Sequence, residues 1–361
     1  MTAPQRTGIT NLPLHGGKAP AWLFGRMTRL AREITIAIVS EFGPHEMLQR
    51  LSDPFWFQAF GCVLGFDWHS SGVTTTVCGA LKEGIKDSLQ TELGLFIAGG
   101  KGRTSRKTPS EIEGLGDKLK VSPDSLVYAS RMSAKVDNTA LQDGYQLYHH
   151  SFFFTADGSW TVVQQGMNEV NSYARRYHWL GELVTDFVCE PHNAICSEGK
   201  GQVLNFVATE SQPARRTITE IATEDKPEKL VDQLKKLQTL DLPGRHHLEL
   251  RDIHPDRLMK IFLHTYEQQP QNFENLLGLE GLGPKTLRAL SLISELVYDV
   301  PVSLRDPARY SFAHGGKDGH PYPVDRNTYD RSIELLHEAL KKAKLGDTDK
   351  IAAFKRLRTW Q

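Results

Sequence analysis

The amino-acid sequence predicts an α+β fold, in which a mixed N-terminal domain precedes an all-α domain. Residues 146–154 and 160–165 alternate aromatic or β-branched residues with polar ones, and the segment between them contains Asp-Gly, so we predict a β-hairpin. Near the C-terminus, apolar residues recur at helical spacing. A segment rich in Pro, Arg, Thr and Glu separates the two parts. The predicted division is an α+β domain over 1–211, a linker over 212–226 and an all-α domain over 227–361.

Other elements are predicted from the same patterns. Residues 21–39 have helical periodicity, and a second helix is expected from Ser70 to about residue 92. Residues 95–140 are expected to mix short strands with loops, and 203–208 to form a further strand. The N-terminal part is therefore expected to contain the sheet.

Composition limits the function classes. The chain has 361 residues, with 43 basic and 43 acidic side chains. It is therefore not a polybasic coat protein, and any nucleic-acid binding must come from local patches. The four cysteines form no CxxC pair, and we find no signal peptide and no apolar run of membrane-spanning length. We expect a reduced cytoplasmic protein that does not enter a membrane, of undetermined oligomeric state.

The most informative motif is Leu-Glu-Gly-Leu-Gly-Pro-Lys-Thr-Leu over residues 279–287. Gly281 and Gly283 permit a tight turn, and Pro284 suits the first position of the following helix. Such a helix-hairpin-helix turn presents free backbone N–H groups and the positive end of a helix dipole, which favours a phosphate. We predict DNA-backbone contacts at Gly281, Gly283, Lys285 and Thr286. The alternative is a glycine-rich loop between two core helices.

The hairpin and a downstream segment, Val-Asp-Arg-Asn-Thr-Tyr-Asp-Arg over residues 324–331, resemble the helix-hairpin-helix DNA glycosylases of the endonuclease III type. The resemblance implies that Lys285 is the Schiff-base nucleophile and that Asp325 stabilises the cation left by a departing base. The interval between the two is longer here than in that family, and the family's iron–sulfur cysteine cluster is absent. The alternative is a DNA-binding hairpin with an aspartate cap on the next helix.

Three further segments are candidates for contacts with phosphates. Ser70, Ser71 and Thr74 open the predicted second helix and could bind an anion, although serine capping of a core helix is an equal alternative. The basic loop over residues 101–107 and the basic–aromatic segment over 175–178 have compositions typical of nucleic-acid contacts. For the basic loop, a solvated loop without a ligand is the alternative. The candidate DNA-binding residues of the two segments are Lys101, Arg103, Arg106, Lys107, Arg175 and Arg176.

A metal-dependent nuclease is also compatible with the N-terminal part. Asp143 before one strand and Gln164 on the next resemble the layout of the PD-(D/E)xK nucleases, but Gly166 stands where that pattern has lysine. Oxygen ligands would favour Mg²⁺ or Mn²⁺. The candidate metal ligands are Asp67, His69, Asp137 and Asp143, of which Asp67, His69 and Asp143 are also candidate catalytic groups. The alternative is a buried polar network.

Nearly the whole chain resembles a prokaryotic family known as domain of unknown function 763, a resemblance that implies no activity. The matching segments are 12–20, 65–75, 99–102, 135–138, 142–150, 163–168, 174–179 and 313–319.

The sequence therefore favours a DNA-processing protein of repair type that binds DNA through the hairpin. Three hypotheses stay open: glycosylase and AP-lyase chemistry at Lys285 and Asp325, a metal-dependent nuclease in the N-terminal domain, and a DNA-binding module without catalysis.

Overall fold

A computed structural model describes residues 19–66, 71–86, 88–170, 172–197, 199–240, 253–308, 326–344 and 346–358. The N-terminal part begins with consecutive helices whose ends are set by proline and glycine. Pro44 and Pro54 lie at the first positions of their helices, where a missing N–H costs no hydrogen bond. The Asp53 carboxylate caps the third helix by accepting from two backbone N–H groups. These helices are α1 (Ala21–Phe42), α2 (Pro44–Ser52), α3 (Pro54–Leu64), α4 (Gly72–Gly84) and α5 (Ser88–Leu93).

An antiparallel five-stranded sheet forms the centre of the protein. Its order is β1-β3-β4-β5-β6, and a separate two-stranded ladder pairs β2 with β7. The predicted hairpin is confirmed as β3 and β4, which pair from Gln146 opposite Met167 to Phe154 opposite Trp160. The strands are β1 (Leu95–Lys101), β2 (Leu141–Gln142), β3 (Gln146–Thr155), β4 (Trp160–Asn168), β5 (Tyr173–Leu180), β6 (Ala194–Cys196) and β7 (Leu204–Asn205).

The remaining helices lie between β1 and β2 and after β7. A 3-10 helix, Gly102–Lys107, follows β1, and a π-helical turn, Val136–Ala140, ends α7. Among the described residues, no helix is both long enough and apolar enough to cross a membrane. The helices are α6 (Thr108–Glu113), α7 (Pro123–Lys135), α8 (Gln212–Glu224), α9 (Pro227–Gln238), α10 (Pro255–Gln268), α11 (Phe273–Gly278), α12 (Pro284–Tyr298), α13 (Arg326–Lys342) and α14 (Asp347–Arg358).

Both faces of the sheet are covered by helices. Successive side chains of a strand point to opposite faces, so Phe152 and Phe154 enter one core while Phe153 enters the other. The first core joins the sheet to α7 and to helices α8–α12, including a stacked pair of Phe206 and Phe273 with ring centroids 6.1 Å apart. The second joins the sheet to α1–α4, α13 and α14. The mixed α and β composition predicted from the sequence is confirmed.

The predicted linker and domain division differ from this arrangement. Residues 212–226 contain helix α8, whose Ala214, Ile218 and Ala222 are buried in the first core. Each core draws on residues from before and after this segment, so the chain does not separate there. The expected helix over 70–92 is divided into α4 and α5, and the expected strand over 203–208 is reduced to β7. Residues 102–140 are mostly helical.

Candidate nucleic-acid interface

The helix-hairpin-helix motif is formed by α11, a short turn and α12. Gly281 has φ of +82°, a left-handed conformation that favours glycine, whereas Gly283 is extended and caps α12. Leu282 and Leu287 are buried and anchor the turn to the first core. Lys285 is exposed at the second position of α12. The turn therefore places the start of α12 at the surface at Lys285, whereas Thr286, also a predicted DNA contact, is buried.

A half-buried lysine contacts this turn. The Lys135 ammonium, at the end of α7, donates to the carbonyl oxygens of Leu279, at 3.2 Å, and Leu282. Burial lowers the pKa of Lys135. The ammonium satisfies two carbonyls of the turn and places a positive charge beside the start of α12. Both effects favour an anion at the turn.

A polar cleft of about 600 Å³ opens beside the hairpin. Gln142 connects its two walls, because the side-chain amide donates to the carbonyl of Thr139 at 3.1 Å and to that of Pro284 at 2.9 Å. We call it the amide cleft, since five of its lining residues carry side-chain amides. These are Asn138, Gln142, Gln146, Asn168 and Gln202. Pro284 and Arg288 bring the first turns of α12 into the same lining.

The predicted basic loop lies at the same end of the sheet. Lys101 ends β1 opposite His149 near the start of β3, and Gln146 of the cleft begins β3. In the loop that follows, the side chains of Arg103, Arg106 and Lys107 are exposed. The ammonium of Lys101 lies 5.9 Å from the ring centroid of Tyr148. Hairpin, cleft and basic loop thus lie at one end of the sheet.

The two arginines of β5 were expected to contact DNA, and this expectation is wrong for the described structure. Arg175 is 1% exposed and forms a buried ion-pair cluster with Asp143, at 3.0 Å, and Asp306, at 2.8 Å. Arg176 is fully buried on the other face of the sheet, where it donates to Gln58 at 3.2 Å. Because both faces of β5 are covered, alternating residues on this strand have no access to a surface ligand.

Asp137 and Asp143, the two candidate metal ligands that the structure describes, belong to separate hydrogen-bond networks. Asp143 accepts hydrogen bonds from Arg175 and from the Tyr177 hydroxyl, the latter at 2.7 Å. Asp137 is fully buried in a different network, described below. In the part of the chain that the structure describes, no three His, Cys, Asp or Glu residues are grouped as a metal site would require. Asp143 and Gln164, the pair predicted from the nuclease layout, each contact other protein groups, Asp143 through Arg175 and Tyr177 and Gln164 through Asp137 and His150.

Asp137 lies at the centre of a hydrogen-bonded chain. Its Oδ2 accepts from Gln164 at 2.5 Å and from the Trp179 indole at 3.0 Å, and its Oδ1 is 2.5 Å from His192 Nε2. Gln164 Oε1 in turn lies 2.7 Å from His150 Nδ1. The carboxylate has its hydrogen-bonding capacity filled by protein groups, which fits a buried polar network better than a metal ligand.

The predicted phosphate-binding helix start is also internal. Ser71 and Thr74 are buried, and both hydrogen-bond Gln165: the Ser71 carbonyl accepts at 2.9 Å and the Thr74 hydroxyl contacts the side-chain oxygen. They therefore serve to attach α4 to β4. Asp67, His69, Ser70 and Asp325 lie outside the described residues.

Several residues of the interface carry no recognisable sequence signal. Asn138, Gln202 and Arg288 are ordinary surface residue types, and only the fold brings them to one cleft. Neither Lys135 nor Asp306 has a local signal for its contacts, since their partners are 144 and 131 positions away in the sequence.

A family model with the description "Protein of unknown function (DUF763)" matches residues 8–324, so the chain belongs to this family. Searches of curated proteins and of solved structures found no match. The comparisons give no support to the endonuclease III-type resemblance, which stays an interpretation of the hairpin and of Asp325.

Proposed function

We propose that this DUF763 protein binds the DNA backbone through its hairpin turn, without sequence preference, and processes the bound strand. The observation that carries the proposal is the start of α12, which is at the surface at Lys285 and lies beside the Lys135 ammonium and the amide cleft. Backbone N–H groups recognise phosphate oxygens but carry no base information. Amide side chains in the adjoining cleft can hydrogen-bond to a base edge.

Gly283 offers a sharp test of this proposal. Its φ of −124° is accessible to any residue, and a Cβ there would have no atom within 4 Å. Gly283→Leu should therefore cover the helix end without straining the fold, whereas a substitution at Gly281 would also strain a left-handed backbone. Gly346→Leu is a matched control, because its Cβ also meets no atom within 4 Å and it lies away from the hairpin.

Binding should be measured by fluorescence anisotropy on duplex and single-stranded DNA of two unrelated sequences over a range of salt concentrations. We expect Gly283→Leu to weaken all complexes by about tenfold or more, and salt to weaken the wild-type complex. Gly346→Leu should bind as the wild type does. Equal affinity of the Gly283→Leu and wild-type proteins would remove the hairpin from the function.

For the reaction, we propose AP-lyase chemistry with Lys285 as the amine nucleophile. Lys285 is exposed between Pro284 and Arg288, both of which line the amide cleft, so a sugar beside the cleft is within reach of this part of α12. An amine that attacks C1′ of an abasic sugar forms a Schiff base, which borohydride reduces to a stable adduct. Wild-type protein should give this adduct on abasic DNA, and Lys285→Ala should not. An adduct of undiminished yield with Lys285→Ala would exclude this mechanism.

A further inference from the structure

A second cleft, of about 460 Å³, lies between the helical layer and the sheet. Residues of α1 and α4 form one side, and the end of β1 and the first half of β3 form the other. We call it the α1–α4 cleft. It shares none of its lining residues with the amide cleft and takes no part in the proposed hairpin contact.

His149 of β3 is the most informative lining residue. It is 1% exposed; its Nε2 lies 3.1 Å from the Ser151 hydroxyl, while its Nδ1 has no hydrogen-bond partner among the described residues. Burial, followed by the charges of His150 and Lys101, lowers the pKa of His149 to about 3, so the ring is neutral at physiological pH. A neutral imidazole has one donor and one acceptor nitrogen. Because buried polar atoms are almost always hydrogen-bonded, the unmatched nitrogen indicates a missing partner.

The wall opposite α4 has no side chains at two consecutive positions, Gly99 and Gly100, whose φ are +85° and +144°. A Cβ on Gly99 would lie 2.2 Å from the His150 carbonyl oxygen, so the protein's own backbone requires glycine there, and the Gly99 N–H donates to Glu111 at 2.7 Å. Lys101 follows with an exposed ammonium. Lys82 is held at the cleft by the Gly99 carbonyl at 2.7 Å and by Glu111 at 2.6 Å.

Hydroxyl groups complete the lining on three sides. Thr28 of α1, Thr75 of α4 and Thr104 after β1 all contribute to it, beside Ser151. The Thr28 and Thr75 hydroxyls donate to the Phe24 and Gly72 carbonyls, at 2.9 Å and 3.3 Å. Among the described residues of the lining, the Lys101 ammonium and the Thr104 hydroxyl are therefore the donors that can serve phosphate oxygens. Glu83 also lines the cleft, but its carboxylate is paired with Lys86 at 3.1 Å.

We infer that the α1–α4 cleft binds a phosphate group, carried either by a free nucleotide or by the end of a DNA strand. Lys101 supplies the charge, the bare backbone of Gly99 and Gly100 admits the group, and His149 Nδ1 makes a hydrogen bond with it.

Two variants test the site without depending on the hairpin. Gly25→Leu adds a side chain to an exposed position of α1 that lines the cleft and whose Cβ would meet no atom within 4 Å, so it should fill the cleft and leave the fold intact. His149→Gln keeps an amide near the position of Nε2 and removes Nδ1. Ala21→Leu, one turn earlier on the exposed part of α1, is the matched control.

Calorimetric titrations should use inorganic phosphate, a deoxynucleoside monophosphate, and a short single strand with either a 5′-phosphate or a 5′-hydroxyl. We expect at least one phosphate ligand to bind, with affinity about tenfold lower in Gly25→Leu and His149→Gln and unchanged in Ala21→Leu. Preference for the monophosphate identifies a nucleotide site, and preference for the 5′-phosphorylated strand identifies a strand end. Unchanged affinity in both variants, or no binding of any phosphate ligand by the wild type, would overturn the inference. Gly283→Leu should retain this binding, so failure of the hairpin proposal remains distinguishable.

Discussion

The buried ion-pair cluster of Arg175 gives the strongest stability prediction. Arg175 lies between Asp143, which lines the amide cleft, and Asp306, which follows the hairpin helix. Burial alone would lower the pKa of Arg175, but its interactions with Asp143, Tyr177 and Asp306 are together stronger, so the pKa is raised. Arg175→Met would leave two carboxylates, both almost completely buried, without their cation.

The expected cost is about 3–5 kcal/mol of the free energy of unfolding, because removing one partner leaves an uncompensated buried charge. Arg305→Met is a control of the same chemistry. Arg305 also pairs with two carboxylates, Glu210 at 2.8 Å and Glu190 at 2.6 Å, but its side chain is 49% exposed. Solvent screens such pairs, so this control should cost no more than about 1 kcal/mol.

Urea denaturation followed by tryptophan fluorescence and circular dichroism gives both differences. Burial already raises the pKa of Asp143 beside its cation, and Arg175→Met removes the charge that opposes this shift. A carboxyl whose folded-state pKa lies above its unfolded value destabilises the fold at neutral pH, so the penalty should shrink as the pH falls towards about 4. Adding Asp143→Asn and Asp306→Asn to Arg175→Met should recover part of the loss. Equal losses at Arg175 and Arg305, or a loss independent of pH, would refute the reasoning.

Three further predictions concern the interface and the buried histidine. Lys135→Met should cost about 1–3 kcal/mol of stability and weaken DNA binding, measured by urea denaturation and anisotropy, because two carbonyls of the turn lose their donor. Strand cleavage, if metal-independent as the lyase proposal requires, should persist in excess EDTA and in Asp137→Asn; cleavage that EDTA abolishes would favour the nuclease alternative. Burial lowers the pKa of His149 to about 3, whereas histidine in the unfolded chain titrates near 6.5. Between pH 6.5 and pH 5 protons bind only the unfolded chain, so the free energy of unfolding should fall by about 2 kcal/mol over this range. His149→Gln should flatten that part of the stability curve.

The hairpin could be predicted from sequence because its determinants are local. Gly281 and Gly283 fix the turn and Pro284 starts the helix, independently of what surrounds them. The same holds for β3 and β4, because their alternating apolar and polar residues and the turn that joins them lie within one short segment.

The β5 arginines and residues 212–226 differ from the prediction because their burial depends on packing against distant parts of the chain. Basic and aromatic residues alternate on β5 as they do in nucleic-acid-binding segments, but the helices that cover both faces come from elsewhere in the chain, so Arg175 and Arg176 are internal. Residues 212–226 have the composition of a linker and yet contain helix α8. Ala214, Ile218 and Ala222 recur every four residues, and this spacing predicts the buried side of α8.

The polar network around Asp137 explains how the sheet keeps its two faces distinct. His150 pairs with Gln164 across β3 and β4, and both point towards α7 and Asp137, whereas neighbouring Gln165 points towards α4. A shift of β4 by one residue would exchange the two glutamines between faces. Depending on the direction of the shift, Val163 would replace Gln164 beside Asp137 or Gly166 would replace Gln165 beside the Ser71 carbonyl. Either shift loses one buried hydrogen bond, at a cost that apolar contacts alone would not impose. We therefore infer that consecutive glutamines on β4 define the register of the strand against both helical layers, and with it the position of the cleft at the end of the sheet.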